Sequence, residues 1–177
     1  MSTLTWAVAA VVTDDAGRVL LCRREPGGRW GLPGGRLRRP QCPTGAVAGA
    51  VRQEIGYAVE VVDLVGLYHL SGSTCGGPPA SDSLPDVVVH VFRARAQPDA
   101  ALAPPAGCTL SWHLPDRLPA EVTPVTRAAV ADAGVGRSGV LRDLRPDPAT
   151  GVPATPVRAV DSVPPAPRAG SDVRPGP

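Results

Sequence analysis

The sequence predicts an α+β layered domain, a mixed sheet with helices packed on it, followed by a disordered tail. Three observations carry this expectation. Strand-type apolar runs at residues 5–12, 59–70 and 86–96 are long and rich in Val and Ala. The two segments with helical spacing do not alternate with strands one by one, as a doubly wound nucleotide fold would require. From Arg145 onward, Pro146, Pro148, Pro153, Pro156, Pro164, Pro165 and Pro167 break helix and sheet alike and leave no usable period. The expected division is a folded domain over residues 1–142 and a Pro/Ala-rich tail over 143–177.

Composition narrows the function classes. A chain of 177 residues suits one domain with a tail and is long enough to bury a core. The formal net charge of +2 gives no strong attraction to nucleic acid or membrane, and at 3% aromatics, base-stacking surfaces are scarce. Cys22, Cys42, Cys75 and Cys108 lack the close spacing of a zinc knuckle or redox pair. Reduced thiols are expected. Residues 4–12 are apolar but too short to span a bilayer, with neither a basic leader nor a cleavage region. The expectation is a soluble cytoplasmic protein.

Taken in order, residues 5–12 and 18–23 read as the strands of a hairpin around the turn Asp14-Asp15-Ala16-Gly17. A Gly/Pro loop over 25–29 leads into Trp30-Gly31-Leu32. Pro33-Gly34-Gly35 then forces a tight turn. Thr44 stands where an N-cap would, and Ala46, Val47, Ala50, Val51 and Ile55 follow at helical spacing. Gly49 inside this helix costs about 1 kcal/mol relative to Ala, so tertiary packing must hold it, and Gly56 marks its end. Residues 59–70 form a long strand, 71–84 a Ser/Gly/Pro loop, 86–96 the clearest strand, 97–107 an Ala/Pro loop and 109–114 a short strand. Thr123-Pro124 supplies an N-cap and first-turn proline for a last helix over 125–133.

The stretch from Trp30 to Tyr57 (WGLPGGRLRRPQCPTGAVAGAVRQEIGY) organises the chain. Laid from Gly35 to Tyr57, it resembles without a gap the signature of the Nudix hydrolase superfamily: Gly, five residues, Glu, seven residues, Arg-Glu, an aliphatic residue, any residue, Glu-Glu, any residue, Gly and a hydrophobic residue. Gly35, Val51, Glu54, Gly56 and Tyr57 match. Gln41, Gly49, Ala50 and Gln53 stand where the family has Glu, Arg, Glu and Glu. The resemblance covers about residues 4–142 and implies an α/β/α sandwich with a mixed sheet. It also implies Mg²⁺- or Mn²⁺-dependent hydrolysis of nucleoside diphosphate-linked substrates.

In the family, carboxylates at i, i+3 and i+4 of the helix share a metal cluster. Here that face carries Ala50, Gln53 and Glu54. The resemblance makes Glu54 the catalytic metal ligand, with Gln53 as a weaker neutral donor and the Gly34 carbonyl as a backbone ligand. Gly34, Gly35 and Arg36 are the expected substrate-binding residues. Gln41 and Gly49 replace an ion pair of the family; losing both members strands no charge, and the two read equally well as ordinary surface and packing residues. Asp82, Asp86 and Glu121 could supply a late-loop carboxylate, or be turn and solvated charges. His69, His90 and His113 read as structural. Arg23, Arg24, Arg29, Arg36, Arg38 and Arg39 could receive phosphate or form a solvated face, and Trp30 reads as core.

The expected function is therefore that of a Nudix-fold protein with a degenerate box: a diphosphate-bond hydrolase, or a descendant of one, whose activity is weak or lost. The alternative is a non-catalytic domain that binds or senses a nucleotide or nucleotide sugar. The expected ligand is a small nucleotide-type molecule held with Mg²⁺ (or Mn²⁺), weakly if at all, with no nucleic acid or membrane partner.

Overall fold

Val, Ala and Thr alternate along the first strand, β1 (Thr5–Thr13), so that it has two apolar faces and sits at the centre of the sheet. The computed structural model describes residues 4–24, 28–38, 41–56, 58–70, 86–97 and 107–144. The expected loop over 71–84 and the expected Pro/Ala-rich tail beyond Leu144 lie outside the described residues.

Around β1 the described strands are β2 (Val19–Arg24), β3 (Gly34–Arg36), β4 (Val59–Leu70), β5 (Val87–Ala96), β6 (Cys108–His113) and β7 (Val140–Leu144). The order across the sheet is β6-β2-β1-β5-β4-β7, with β3 also paired to β1. β1 runs parallel to β5 over nine register pairs, Thr5↔Val87 through Thr13↔Arg95. β4 is antiparallel to β5 and parallel to β7, and β2 is antiparallel to β6. The sheet is mixed, as expected.

Two helices cover it. Helix α1 (Pro43–Ile55) turns Val47, Val51 and Ile55 inward at i, i+4 and i+8, onto Val8, Ala10, Val12, Phe92 and Ala94. Helix α2 (Pro124–Gly134) seals the other face, where Val125, Ala129 and Val130 meet Ala9, Val11, Leu21, Val65 and Tyr68. Odd and even residues of β1 thus serve opposite cores, and the architecture is the expected α/β/α sandwich.

Three local expectations are refined. Helix α1 begins before Thr44: Cys42 is the N-cap without a side-chain cap bond, and Pro43 opens the first turn. Proline's fixed φ and missing N–H suit that position. The short strand β3 and the edge strand β7 were not anticipated, and β7 runs to Leu144, past the expected boundary at 142. The hairpin between β1 and β2 is splayed. Its strands pair only at Thr13↔Val19, because residues 31–36 enter between them. Gly56, with φ 74°, ends α1 as expected and donates its N–H to Arg52. Thr123 caps α2 through the Thr126 N–H at 3.3 Å. Cys22, Cys42 and Cys108 are thiols. Among the described residues, no helix is long and apolar enough to cross a membrane.

A charged pair, Asp132 and Arg142, lies buried in this fold. Asp132 of α2 is 1% exposed and accepts a forked hydrogen bond from Arg142 of β7, the Tyr68 hydroxyl at 3.0 Å and Arg137 at 3.1 Å. Burial alone would raise its pKa, but the bonds from Arg142 and Tyr68 together outweigh burial and hold the carboxyl below its ordinary value. Burial, reinforced by the Asp132 charge, drives the Tyr68 hydroxyl far upward. A carboxyl depressed in the folded state stabilises the fold above the ordinary carboxyl value, and this stabilisation is lost as pH falls through the folded value. Urea melts of wild type should therefore lose stability below about pH 4. Asp132→Asn should cost about 3–5 kcal/mol at neutral pH by stranding Arg142, and its remaining stability should fall less steeply with acid. Parallel pH slopes for the two proteins would contradict this role.

Candidate functional site

The site is built on the segment from Gly28 to Arg36. Trp30 donates its N–H to the Glu121 carbonyl at 3.0 Å and accepts from the Thr123 N–H at 2.8 Å. Gly31 exchanges two backbone bonds of 2.9 Å with Cys22, and Leu32 donates to the Thr126 hydroxyl at 3.1 Å. Pro33 accepts the Ala10 N–H, and β3 then pairs with Ala7–Ala9. The strap is thus laced to β2, β1 and the start of α2 in turn. Glycine is needed at Gly34 for closeness of approach, because a Cβ there would lie 2.2 Å from the Val8 carbonyl oxygen. At Gly35 a Cβ would meet the Ala50 Cβ at 3.3 Å, so α1 rests directly on the strap.

Glu54 joins helix to strap. Its Oε2 accepts the Gly34 N–H at 2.6 Å. The flanking bonds Ala10 N–H to Pro33 and Leu37 N–H to Trp6 make Val8↔Gly35 the hydrogen-bonded pair of the β1–β3 ladder. Gly34 is then a non-bonded position, whose N–H and C=O both leave the strand away from β1. The Gly34 carbonyl therefore points to the same side as the N–H that meets Glu54.

A cleft of about 1060 Å³ opens between α1, β3 and the start of β6. It brings together every residue expected at the site: Gly34, Gly35, Arg36, Gln53 and Glu54. Arg38, Gln41, Gly49, Ala50 and Cys108 share its wall. Gln41 closes the preceding turn, its side-chain oxygen accepting the Arg38 N–H at 3.2 Å. Gly49 is an exposed helix position where an added Cβ would touch nothing within 4 Å. Arg36 and Arg38 are exposed.

The donor set is sparse. Glu54 is the one carboxylate among the described residues lining the cleft, Gln53 beside it is exposed, and Ala50 offers no ligand. Among the described residues, no group of three or more His, Cys, Asp or Glu is placed to hold a metal ion. Of the late carboxylates, Asp86 and Glu121 are not on this wall. Glu121 is exposed beside Trp30, Asp86 accepts the Thr5 N–H at its backbone carbonyl, and Asp82 lies outside the described residues.

The histidines take up contacts within the sheet. His69 lies 3.4 Å from Asp143, His90 Nδ1 is 3.3 Å from the Ala7 carbonyl, and His113 meets Trp30 edge-on. Trp30 packs against the α2-side core, and the Arg23 guanidinium sits over its ring at 4.9 Å. Arg29 is exposed but does not line the cleft; the Arg24 side chain and Arg39 lie outside what is described. No sequence signal points to the share taken by Ala7, Ala9 and Cys108, since only the pairing of β1 with β3 and β6 with β2 brings them here.

A mixed sheet between two helices, with a glycine strap under a helix carboxylate, defines a class that comparison with known proteins identifies. A family model described as the NUDIX domain matches residues 3–133. The chain is 32% identical over 127 residues to a MutT-like protein of Streptomyces ambofaciens, covering 72% of this chain and 75% of that one. It is also similar to the MutT NUDIX hydrolase structure from Burkholderia pseudomallei, at 25% identity and a TM-score of 0.61, covering 73% of this chain and 98% of the other. A MutT protein structure from Bacillus halodurans shares the fold at a TM-score of 0.67 and 17% identity, over 90% and 99% of the two chains. The chain belongs to the Nudix hydrolase family.

The strap makes a graded prediction. Gly34→Ala should cost about 3 kcal/mol, the upper range for overpacking a tight site, because backbone rather than a mobile side chain blocks the new methyl group. Gly35→Ala, facing a single methyl at 3.3 Å, should cost less. Equal losses in urea denaturation would show that the β1–β3 contact is looser than described.

Proposed function

We propose that this Nudix domain binds a nucleoside diphosphate-linked ligand in the α1–β3 cleft and that its diphosphate hydrolysis is weak or lost. One observation carries the reading: the helix face toward the cleft is Ala50, Gln53 and Glu54, so a single carboxylate stands on it. Carboxylates three and four positions apart on a helix share one face and can share a cluster of ions, and here two of the three are replaced.

The residues present fit one divalent cation and not a cluster. Glu54, the Gly34 carbonyl on its side of β3, and the neutral Gln53 oxygen would hold a single Mg²⁺ or Mn²⁺, leaving its other positions to water and ligand phosphate. Such an ion, when bound, neutralises phosphate charge and acidifies water. The chain's own residues do the rest. Arg36 and Arg38 present cationic forks to a phosphate group. Gly34 and Gly35 keep the strap bare of side chains where a ligand backbone would pass. The Gly34 N–H orients the Glu54 carboxylate by fixing one of its oxygens at 2.6 Å. Removing a positioned acid, base or ligand typically lowers a rate by about 10²–10⁴, and two such replacements bring turnover toward background. A domain that retains the ligand without cutting it is the second reading, favoured by the two arginines on a wall poor in metal donors.

Two experiments test this. Nucleoside triphosphates, nucleotide sugars and dinucleotides should show little phosphate or nucleotide release with Mg²⁺ or Mn²⁺, while several of them raise the melting temperature. Brisk turnover that disappears in Glu54→Gln would establish a working hydrolase and overturn the weak-activity reading. Separately, Ala50→Glu with Gln53→Glu should tighten Mg²⁺ binding by calorimetry, because it restores the carboxylate face. Unchanged Mg²⁺ affinity would mean that this face of α1 does not meet the ion.

A further inference from the structure

Helix α1 covers only one end of its face of the sheet. Its cluster takes in Val8, Ala10 and Val12 of β1, Phe92 and Ala94 of β5, and Leu64 of β4. Toward the other end the same face carries Trp6, Val88, His90, Leu67, His69 and Leu141, none of which belongs to that cluster. Alternation fixes the face. Trp6 shares the parity of Val8, and Val88 and His90 that of Phe92. Tyr68, between Leu67 and His69, lies in the α2-side core, and Arg142, next to Leu141, bonds Asp132 of α2.

These residues form two rows across β1, β5, β4 and β7. Trp6↔Val88 and Val88↔His69 make one row, and His90↔Leu67 and Leu67↔Leu141 the other. Four adjacent strands put the outer two axes about 14 Å apart. Trp6 is 42% and Leu141 53% exposed, and the residues between them are half-buried. The His90 ring stands beside the indole, with centroids 5.4 Å apart. The bed is therefore aromatic at its β1 end and aliphatic at its β7 end. A contiguous apolar face of this kind marks a contact surface.

A segment of the same chain has the reach and the pattern to cover it. Strand β7 runs parallel to β4 and delivers Leu144 beside Leu70, at the open end of the bed. Residues 145–177 continue from there. They carry no helical or strand period, but Ala154, Val157, Val160, Val163 and Ala166 recur in threes. Three residues per turn is the period of the polyproline II helix, which Pro153, Pro156, Pro164, Pro165 and Pro167 favour. That helix places the five apolar residues on one edge and Thr155, Arg158 and Asp161 on another. At about 3.1 Å per residue, Val157 and Val163 stand about 19 Å apart, enough to cross the bed from β7 to β1.

We propose that residues 154–166 dock on this bed as an intramolecular polyproline II strand, with Val157, Val160 and Val163 turned onto the sheet between Leu141 and Trp6. Proline-rich segments dock on aromatic-lined surfaces in this way. The contact extends the layer that α1 begins, and it is independent of the nucleotide reading of the cleft.

Nuclear magnetic resonance on the full chain tests the proposal. In wild type, the amides of residues 154–166 should show order parameters above about 0.6, the value below which backbone counts as flexible. The triple variant Val157→Asp, Val160→Asp, Val163→Asp should bring them below it. The same variant should shift the Trp6 indole N–H and the Leu67 and Leu141 methyl resonances, and leave Val47 and Val51 under α1 in place. Thr155→Asn with Asp161→Asn, on the polar edge, should change none of these. From the other side, Leu141→Asp should release residues 154–166. The tail variants leave the folded domain untouched, so the outcome does not depend on how Leu141→Asp folds. Low order parameters in wild type, or bed resonances that ignore the triple variant, would overturn the proposal. Equal shifts from the polar-edge pair would do the same. Bed resonances that move with protein concentration would give the surface to a second copy of the chain and overturn it as well.

Discussion

The hydrogen bond from the Gly34 N–H to the Glu54 carboxylate ties together parts of the molecule that are distant in sequence. It spans the strap, which is woven through β1, β2 and α2, and the last turn of α1, which seals one core. The bond requires the strap to lie against β1 as closely as a residue without a side chain permits. It also requires α1 to come down on Gly35, which the methyl group of Ala50 allows. Small residues on both sides set the distance, and a single carboxylate sets the orientation. The cleft is what remains open along this contact.

The two helices are secured in different ways. Helix α2 has a Thr cap and a proline in its first turn, and Asp132 holds Tyr68, Arg137 and Arg142 around it. Arg93 adds a bond to the Arg137 carbonyl beyond its end and an ion pair to Asp63. Helix α1 has no side-chain cap bond and carries two glycines. Its hold is the apolar stripe of Val47, Val51 and Ile55, together with the glycine that ends it. The half of the sandwich away from the cleft is tied by a buried polar cluster, whereas the helix that forms the cleft wall is held by its apolar packing and by the bond of Glu54 to the strap.

Much of this was legible in the sequence where one physical signal dominated. The long strands β4 and β5 follow from Val-rich runs that contain no proline. The start of α2 follows from Thr123-Pro124, and the end of α1 from Gly56. The box placed Gly34, Gly35, Arg36, Gln53 and Glu54 on one cleft because a helix and a glycine turn have fixed internal geometry. Elements that depend on distant partners were not legible. β3 is three residues of Gly-Gly-Arg, which has no strand propensity and is a strand only because β1 lies beside it. β7 is a short segment recruited to the edge of β4, where Arg142 meets Asp132. The splayed hairpin was missed for the same reason, since its turn reads as a simple reversal and the strap that divides it comes later in the chain.

The parallel pairing of β1 with β5 also sets the order in which the chain can organise itself. The centre of the sheet needs the first strand and the fifth together, with α1 and all of β4 lying between them in sequence. Contacts of such long range exact a loop-closure cost before they return any stabilisation, and topologies rich in them fold slowly. During synthesis, β1 emerges with both apolar faces uncovered and must wait for β5 before it is enclosed. The cleft draws its wall from β1, the strap, α1 and the start of β6, so it is complete only when the first strand and the sixth have both taken their places.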